Sequence, residues 1–289
     1  MKISNILNSG RLSLSFEVFP PKTDAAFDSI KNATEEIAAL SPAFMSVTYG
    51  AGGGRSKYTI EIAKNIQDTY SVPTLAHLTC VSSTREIVRE RIAEMKAAGI
   101  KNVMALRGDM PADMNENSGE YKYAIELVRE IRESDGDFCI GGACYPEVHP
   151  ESISAEHDLM HLREKADAGL DFLTTQMFFD NELFYRFLDK ARGVGVNLPI
   201  IPGVMPITRA NQVERAIQLS GSYMPRRFIS LVDRFGADTE AMKQAGIAYA
   251  TDQIIDLFAN GINNVHVYSM NKPEVAKAIL LNLSNIIGK

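Results

Sequence analysis

The chain has 289 residues, 45% of them hydrophobic and 23% charged, so it can bury a large core, and a disordered segment or a small disulfide-stapled module is excluded. Thirty Lys and Arg face 36 Asp and Glu, a net charge of -6, and neither sign collects in a tail or in one half. That distribution argues against nucleic acid, whose phosphates need a clustered basic face. Cys80, Cys139 and Cys144 are odd in number and at spacings that match no metal knuckle, which predicts buried, reduced thiols. The N-terminus has no apolar signal-peptide region and no apolar run reaches a membrane span, so a cytoplasmic protein is expected.

Residues 2 to 9 read as a short leading helix. Leu12 to Phe19 then alternates with period two and stops at Pro20 and Pro21, the pattern of a first strand. Its Leu12, Leu14, Phe16 and Val18 side is apolar, while Ser13, Ser15, Glu17 and Phe19 form a mixed side. If the apolar side packs on surrounding helices, Glu17 points into a barrel near the carboxyl end of its strand. Helix-period segments then follow apolar runs at intervals of about 25 to 35 residues, as in βα units. Helices are expected over residues 24–40, 55–70, 84–99, 120–134, 154–168, 181–192, 207–219 and 273–286, with two or three across 207–219 and 225–260. The strands between them are 43–49, 73–79, 102–111, 137–144, 170–177, 198–203 and 264–268. Eight strands each followed by helix, with no composition break, predict one (β/α)8 barrel, a TIM barrel, spanning residues 1–289 behind a short N-terminal helix.

Asn102 to Pro111 shows how such a barrel places chemistry: an apolar run, then Arg107, Gly108 and Asp109, then a proline. The carboxyl ends of the other strands are polar too: Glu17; Thr48, Tyr49 and the glycine-rich loop Gly50 to Arg55; His77; Tyr145, Glu147 and His149; Gln176; Met205; Tyr268, Asn271 and Lys272. This bias to one end favours a polar ligand at the carboxyl-end mouth. The loop Gly50 to Arg55 fails the dinucleotide fingerprint, because the third glycine position is Arg55; an approach of backbone amides to phosphate and a plain turn stay open. His77, His149, Glu147 and the pair His157 and His161 form no recognised metal pattern, so no metal is expected and hydrogen bonding or packing is the simpler account. No strand interior carries a lysine for a Schiff base, and Lys22 and Lys272 lie beyond strand ends. An inward Glu17 between Phe and Pro residues has a raised pKa and suits proton donation, with a structural ion pair to a neighbouring strand as the alternative. Gln176 suits a heterocyclic amide edge or a satisfied buried position equally.

Seven segments, Ser15-Phe-Glu-Val-Phe-Pro-Pro-Lys22, Val47-Thr-Tyr-Gly50, Ala76-His-Leu-Thr-Cys80, Ala105-Leu-Arg-Gly-Asp109, Tyr145-Pro-Glu-Val-His-Pro150, Thr175-Gln-Met-Phe-Phe179 and Ile201-Pro-Gly-Val-Met-Pro206, together resemble the catalytic barrel of the methylenetetrahydrofolate reductase family. They occur in the family's order over nearly the whole chain. The resemblance implies FAD at the barrel mouth, reduced by NADH or NADPH, and hydride transfer to 5,10-methylenetetrahydrofolate to make 5-methyltetrahydrofolate, the two substrates using one site in turn. By position, Thr48, Tyr49, Ala51, His77, Arg107, Gly108, Asp109, Tyr123, Ala124, Tyr145, His149, Asp158, His161 and Lys165 look like flavin contacts. Glu17 looks like the general acid, Asp109 a second catalytic carboxylate that tunes the flavin and holds the pterin, and Gln176, Gln212 and Lys272 further substrate contacts. Arg107 is expected to pair with phosphate or with Asp109. The pattern departs at two places: Val213, Ala216 and Ile217 stand where an aromatic would pack on the substrate, and His161 and Glu164 stand where Asn and Arg would be. The chain ends after its barrel, so inhibition through the S-adenosylmethionine-binding domain of longer eukaryotic relatives is not expected. A homo-oligomer is expected, with no nucleic acid or membrane partner.

Overall fold

A computed structural model describes residues 1–21, 23–49, 56–109 and 119–288. Lys22, the loop Gly50 to Arg55 with Ala51, and most of the polar loop after the fourth strand lie outside the described residues. The strands are β1 (Ser13–Val18), β2 (Met45–Val47), β3 (Thr74–Thr79), β4 (Asn102–Leu106), β5 (Cys139–Cys144), β6 (Phe172–Thr175), β7 (Ile200–Ile201), β8 (Gly203–Val204) and β9 (Asn264–Val267). The helices are α1 (Ile3–Leu7), α2 (Phe27–Ala39), α3 (Ser56–Tyr70), α4 (Arg85–Ala97), α5 (Ala124–Glu133), α6 (Ala155–Asp167), α7 (Asn181–Gly193), α8 (Gln212–Ser220), α9 (Arg226–Phe235), α10 (Thr239–Ala259) and α11 (Pro273–Ile287).

All strands pair in parallel, in the order β7-β6-β5-β4-β3-β2-β1-β9-β8. Only Pro202 separates β7 from β8, so the two are halves of one seventh strand. One half bonds β6 and the other β9, which brings the ring of eight strand positions round to its start and confirms the TIM-barrel expectation. The strand breaks at Pro202 because proline has no amide hydrogen for the ladder, although its carbonyl still accepts from the His266 amide at 3.0 Å.

Boundaries move inward where side chains claim the backbone. The helix expected from residue 120 starts at Ala124, because the Glu126 carboxylate accepts from the amides of Lys122 and Tyr123 at 2.6 and 2.8 Å and holds them outside the helix. The helix expected from 207 starts at Gln212 for the same kind of reason: its side-chain oxygen accepts from the amides of Thr208 and Arg209 at 2.9 and 3.0 Å. Residues 225–260 resolve into α9 and α10, with Asp238 capping α10 through the amides of Glu240 and Ala241.

Period-two alternation divides the interior from the shell. Leu14, Phe16 and Val18 of β1 join the outer core against Ile37 and Ala38 of α2 and Ile279 and Leu283 of α11, as the apolar side of that strand predicts. Inside the barrel, Phe44, Leu75, Met104, Cys139, Phe172 and Ile201 make a separate apolar layer, into which α1 inserts Ile3 and Leu7. The leading helix therefore closes the amino-end floor. A third cluster, Met177, Phe179, Ile207, Ala216, Phe228 and Met242, with Met205, Met224 and Tyr268 against it, joins α8, α9 and α10 to the strand ends on one side of the mouth. All three cysteines are buried and free.

Candidate active site

Above the apolar floor the inward positions turn polar. Register sets Glu17 of β1 beside Ser46 of β2, and Ser15 beside His266 of β9. The Ser46 hydroxyl donates to Glu17 Oε2 at 3.4 Å, and His77 Nε2 lies 3.7 Å from the same oxygen. His266 uses both ring nitrogens, Nδ1 at 2.7 Å from Ser15 Oγ and Nε2 at 3.0 Å from Ser46 Oγ. Removal from water governs the acid-base balance of this group. It pushes the Glu17 carboxyl up to about 7, against a smaller opposing effect of the Ser46 hydrogen bond, and it lowers His77 to about 4 and His266 to about 3. The His77 and Glu17 contact therefore joins a neutral imidazole to a carboxyl that is protonated in about half of the molecules near neutral pH. Its neighbours on β2 and β3 are a hydroxyl and an imidazole that burial holds neutral, and among the described residues no Lys or Arg pairs with it. About a fifth of the Glu17 side chain, 19%, stays accessible, so its acid faces the mouth.

The next inward residue after His266, Tyr268 just past the end of β9, donates through its hydroxyl to the Thr175 carbonyl at 2.6 Å. It crosses over Gly203, where a Cβ would come 2.5 Å from that hydroxyl oxygen. Only glycine leaves room for the ring.

The rim after β4 and β5 carries most of the expected flavin contacts. Gly108 has φ +87, and a Cβ there would meet Thr79 and Val81 at 3.0 Å, so the chain turns out of β4 through a glycine-only conformation and leaves Asp109 exposed at the mouth. Of the two partners expected for Arg107, phosphate or Asp109, the carboxylate is a different one: its guanidinium holds Glu151, from the loop after β5, by two bonds of 2.5 and 2.6 Å. That loop is itself strained, with Val148 at φ +75, a conformation costly for a β-branched residue. It is pinned where the His149 amide donates to Asp158 at 3.2 Å, the Glu151 amide donates to His149 Nδ1 at 3.1 Å, and Tyr145 meets His149 edge-on at 4.6 Å. Lys165 of α6 points its ammonium back to the Ala143 carbonyl, and burial lowers its pKa. Farther out, Tyr123 stacks on His161 at 6.4 Å, and His161 Nε2 lies 3.0 Å from His157 Nε2. Thr48, Tyr49 and Ala124 are half-buried around the same rim.

The expected substrate contacts line the opposite side. Gln176 spends its side-chain oxygen on the Met177 amide at 2.9 Å, and among the described residues its amide nitrogen has no partner. Gln212 and Lys272 converge on Thr208: the Gln212 oxygen caps the turn, and the Lys272 ammonium donates to the Thr208 hydroxyl at 2.6 Å. Methionines 177, 205 and 224 form the apolar wall between them. Glu147 ties the two sides together by accepting from the Tyr223 amide at 2.7 Å.

The structure thus gathers Glu17, His77, Arg107, Asp109, Tyr145, His149 and Gln176 at one mouth, with Lys165, Gln212 and Lys272 in its walls. Ala51 falls outside the described residues, and Tyr123 and His161 sit on its outer edge. Sequence reasoning passes over Ser15, Ser46 and His266, which the alternation of β1, β2 and β9 could have supplied, and over Glu151 and Thr208, for which no periodic signal exists. Among the described residues no cluster of His, Cys, Asp and Glu could hold a metal, and no helix is long and apolar enough to cross a membrane.

A model of the family described as methylenetetrahydrofolate reductase matches residues 2–284. The chain belongs to the methylenetetrahydrofolate reductase family. It is 36% identical to the 5,10-methylenetetrahydrofolate reductase of Escherichia coli over 271 residues, which cover 93% of this chain and 90% of that one. It is 35% identical to methylenetetrahydrofolate reductase (NADH) 1 of Arabidopsis thaliana across 99% of its length, but spans only 50% of that plant relative. Among solved structures, a Clostridium thermocellum protein described as binding two copies of 5-methyl-5,6,7,8-tetrahydrofolic acid shares the fold, with a TM-score of 0.67, 15% identity and coverage of 100% and 99% of the two chains.

Proposed function

We propose that this chain, like its reductase relatives, reduces 5,10-methylenetetrahydrofolate to 5-methyltetrahydrofolate with NADH or NADPH through a bound FAD, the nucleotide and the folate taking turns at one mouth. The observation that carries the reading is Glu17: an inward carboxyl, poised near 7, on a partly accessible side chain at the carboxyl end of a barrel. Methylenetetrahydrofolate accepts hydride poorly until its five-membered ring opens to an iminium ion, and opening needs a proton on the departing nitrogen. A carboxyl with a pKa near 7 both holds that proton at neutral pH and releases it readily. His77, lowered to about 4, stays neutral and does not compete for it.

The rim fits a flavin dinucleotide. Arg107 and Lys165 bring cationic heads to one side of the mouth, Tyr145 and His149 bring ring faces, and the glycine at 108 lets the backbone turn where any side chain would collide. In this reading Thr48, Tyr49, Ala51, His77, Arg107, Gly108, Asp109, Tyr123, Ala124, Tyr145, His149, Asp158, His161 and Lys165 hold FAD. Bound there, FAD supplies the hydride-transfer chemistry that no amino-acid side chain offers. Asp109 places negative charge beside the cofactor and accepts hydrogen bonds from the pterin. Gln176, with its oxygen committed to Met177, presents amide hydrogens to a ring acceptor. Gln212 and Lys272 bind the folate's outer portion, where an ammonium pairs with carboxylate.

The test is spectroscopic. The purified chain, reconstituted with FAD, should be yellow, bleach anaerobically with NADH or NADPH, and regain its colour with methylenetetrahydrofolate. A chain that takes up no FAD, or a reduced protein that the folate leaves bleached, overturns the reading.

A further inference from the structure

The role of Glu17 as proton donor leaves the residue behind it unexplained. His266 is 2% exposed, and among the described residues no carboxylate or cation touches its nitrogens; each meets one serine hydroxyl. Its ring lies flat against Phe44 at 5.6 Å and edge-on to Tyr268 at 5.4 Å. With Glu17 ionised, the buried neutral imidazole carries one N–H and each serine one O–H, so three hydrogens serve the chain Ser15, His266, Ser46, Glu17.

Two arrangements satisfy that count. In the first, Ser15 donates to Nδ1, the Nε2 hydrogen goes to Ser46, and Ser46 donates to Glu17 Oε2. In the second, the Nδ1 hydrogen goes to Ser15, Ser46 turns back to donate to Nε2, and Ser15 is left with the Val265 carbonyl at 3.3 Å. Contact lengths do not separate them, because each has one long O–H···O contact: Ser46 to Glu17 Oε2 at 3.4 Å in the first, Ser15 to the Val265 carbonyl at 3.3 Å in the second. Charge separates them once Glu17 is ionised: a buried carboxylate oxygen left without a donor costs more than a neutral carbonyl, which favours the first, and in it all three bonds run toward the carboxyl. Both Ser46 and His77 address Oε2. Among the described residues Oε1 has no hydrogen-bond partner, which makes it the oxygen that presents the proton.

We propose that His266 is a positioning residue for Glu17: its neutral Nε2–H tautomer, with Nδ1 held by the Ser15 hydroxyl, turns the Ser46 hydroxyl onto Oε2 and leaves Oε1 to deliver the proton. The proposal rests on Glu17 acting as the acid. A donor fixed on Oε2 favours the carboxylate left behind after proton delivery, without itself gaining or losing a proton. Among the described residues the titratable groups facing this chain are His77 from β3 and Tyr268, just after β9; Ser15 from β1, Ser46 from β2 and Phe44, just before β2, complete its walls.

Imidazole nitrogen NMR tests the tautomer directly, because the chain has five histidines and long-range proton-nitrogen correlations distinguish the two forms. Uniformly labelled holoenzyme should show one histidine, assigned by its absence in His266→Phe or by sequential assignment, that stays neutral from pH 5 to pH 8 and carries its hydrogen on Nε2 at pH 8, where Glu17 is ionised. An Nδ1–H form at pH 8, or protonation anywhere in that range, overturns the proposal. The second arm is the alkaline limb of the folate half-reaction, where the acid loses its proton. Ser46→Ala should move that limb to higher pH, His266→Phe should move it the same way by less, and the double variant should match Ser46→Ala because the histidine acts only through the serine. Shifts that add, or a limb that does not move in Ser46→Ala, overturn it. If Glu17→Gln reduces the folate at full rate, the general-acid reading fails, and the imidazole spectrum still decides the tautomer.

Discussion

Two layers of one barrel interior, a single inward position apart, are built from opposite materials. On β2 and the residues leading into it Phe44 is followed inward by Ser46, on β3 Leu75 by His77, on β6 Phe172 by Thr174, and across β7 and β8 Ile201 by Gly203. About 7 Å of strand rise separates the layers, yet the lower one is sealed by Ile3 and Leu7 of α1 while the upper one holds a half-neutral carboxyl and two neutral imidazoles. The floor keeps water from entering behind the site, and so sustains the desolvation that raises Glu17. Stability and chemistry are stacked along the same strands.

If the upper layer serves proton delivery, the largest effect of breaking it is on rate. Glu17→Gln keeps the shape and removes the proton, so the folate half-reaction should slow by about two to four orders of magnitude, the usual reach of general acid catalysis. Reduction by NADH or NADPH should persist. In the parent protein the folate rate should fall about tenfold per pH unit above 7, since only protonated Glu17 acts. Rapid-mixing measurement of each half-reaction checks both statements, and equal loss in the two halves would return Glu17 to a structural role.

The floor should answer in stability. Phe172 is fully buried, and its ring lies so close to Gly141 that a Cβ there would come within 2.6 Å. Phe172→Ala should cost about 3–5 kcal/mol in denaturant unfolding, the range for a buried phenylalanine truncated in a closed core. A loss below about 1 kcal/mol would show that α1 can settle into the gap.

Much of this division is legible in the sequence. The alternation of Leu12 to Phe19 puts Glu17 inward and Phe16 outward, and repeated βα spacing supplies the ring. The same alternation in Asn264 to Tyr268 contains His266, but one histidine in an apolar run carries no sign of two serines waiting on other strands. The break at Pro202 follows from proline chemistry. Glu151 capturing Arg107 does not, because it depends on the path of a loop that passes through a positive φ at Val148. Gln212 reads in sequence as a ligand contact, and its oxygen is taken by the turn that delays α8, a local competition that no periodicity records.

Raising Glu17 has a stability cost whose pH dependence isolates the upper layer from its catalysis. Below its ordinary 4.5 the carboxyl is protonated in folded and unfolded chains alike, and burial costs no charge. Between 4.5 and about 7 the folded chain keeps a proton that the unfolded chain has lost, so stability falls as pH rises and levels off above 7. At roughly 1.4 kcal/mol per pH unit the full cost is about 3 kcal/mol. Glu17→Gln should therefore match the parent near pH 4 and exceed it by about that amount at pH 8; curves that stay parallel across this range would mean that Glu17 is not desolvated.

The smallest expected effect tests whether the floor is joined to the strands by more than apolar packing. Asn102, at the start of β4 and 1% exposed, accepts from the Ile3 amide at 2.8 Å and donates to the carbonyls of Thr74 and Met1 at 2.9 and 3.2 Å. One side chain thus fastens α1 to two neighbouring strands. Asn102→Ala strands the Ile3 amide and the Thr74 carbonyl in a site closed to water, and should cost about 1–3 kcal/mol. Hydrogen exchange should quicken first at Ile3 and its neighbours in α1. If the floor is what holds water out from behind Glu17, loosening it this way should also move the alkaline limb of the folate half-reaction to lower pH, since a better-solvated carboxyl is a stronger acid. A destabilised variant whose limb stays in place would separate the two layers and assign the raised pKa to the mouth side alone.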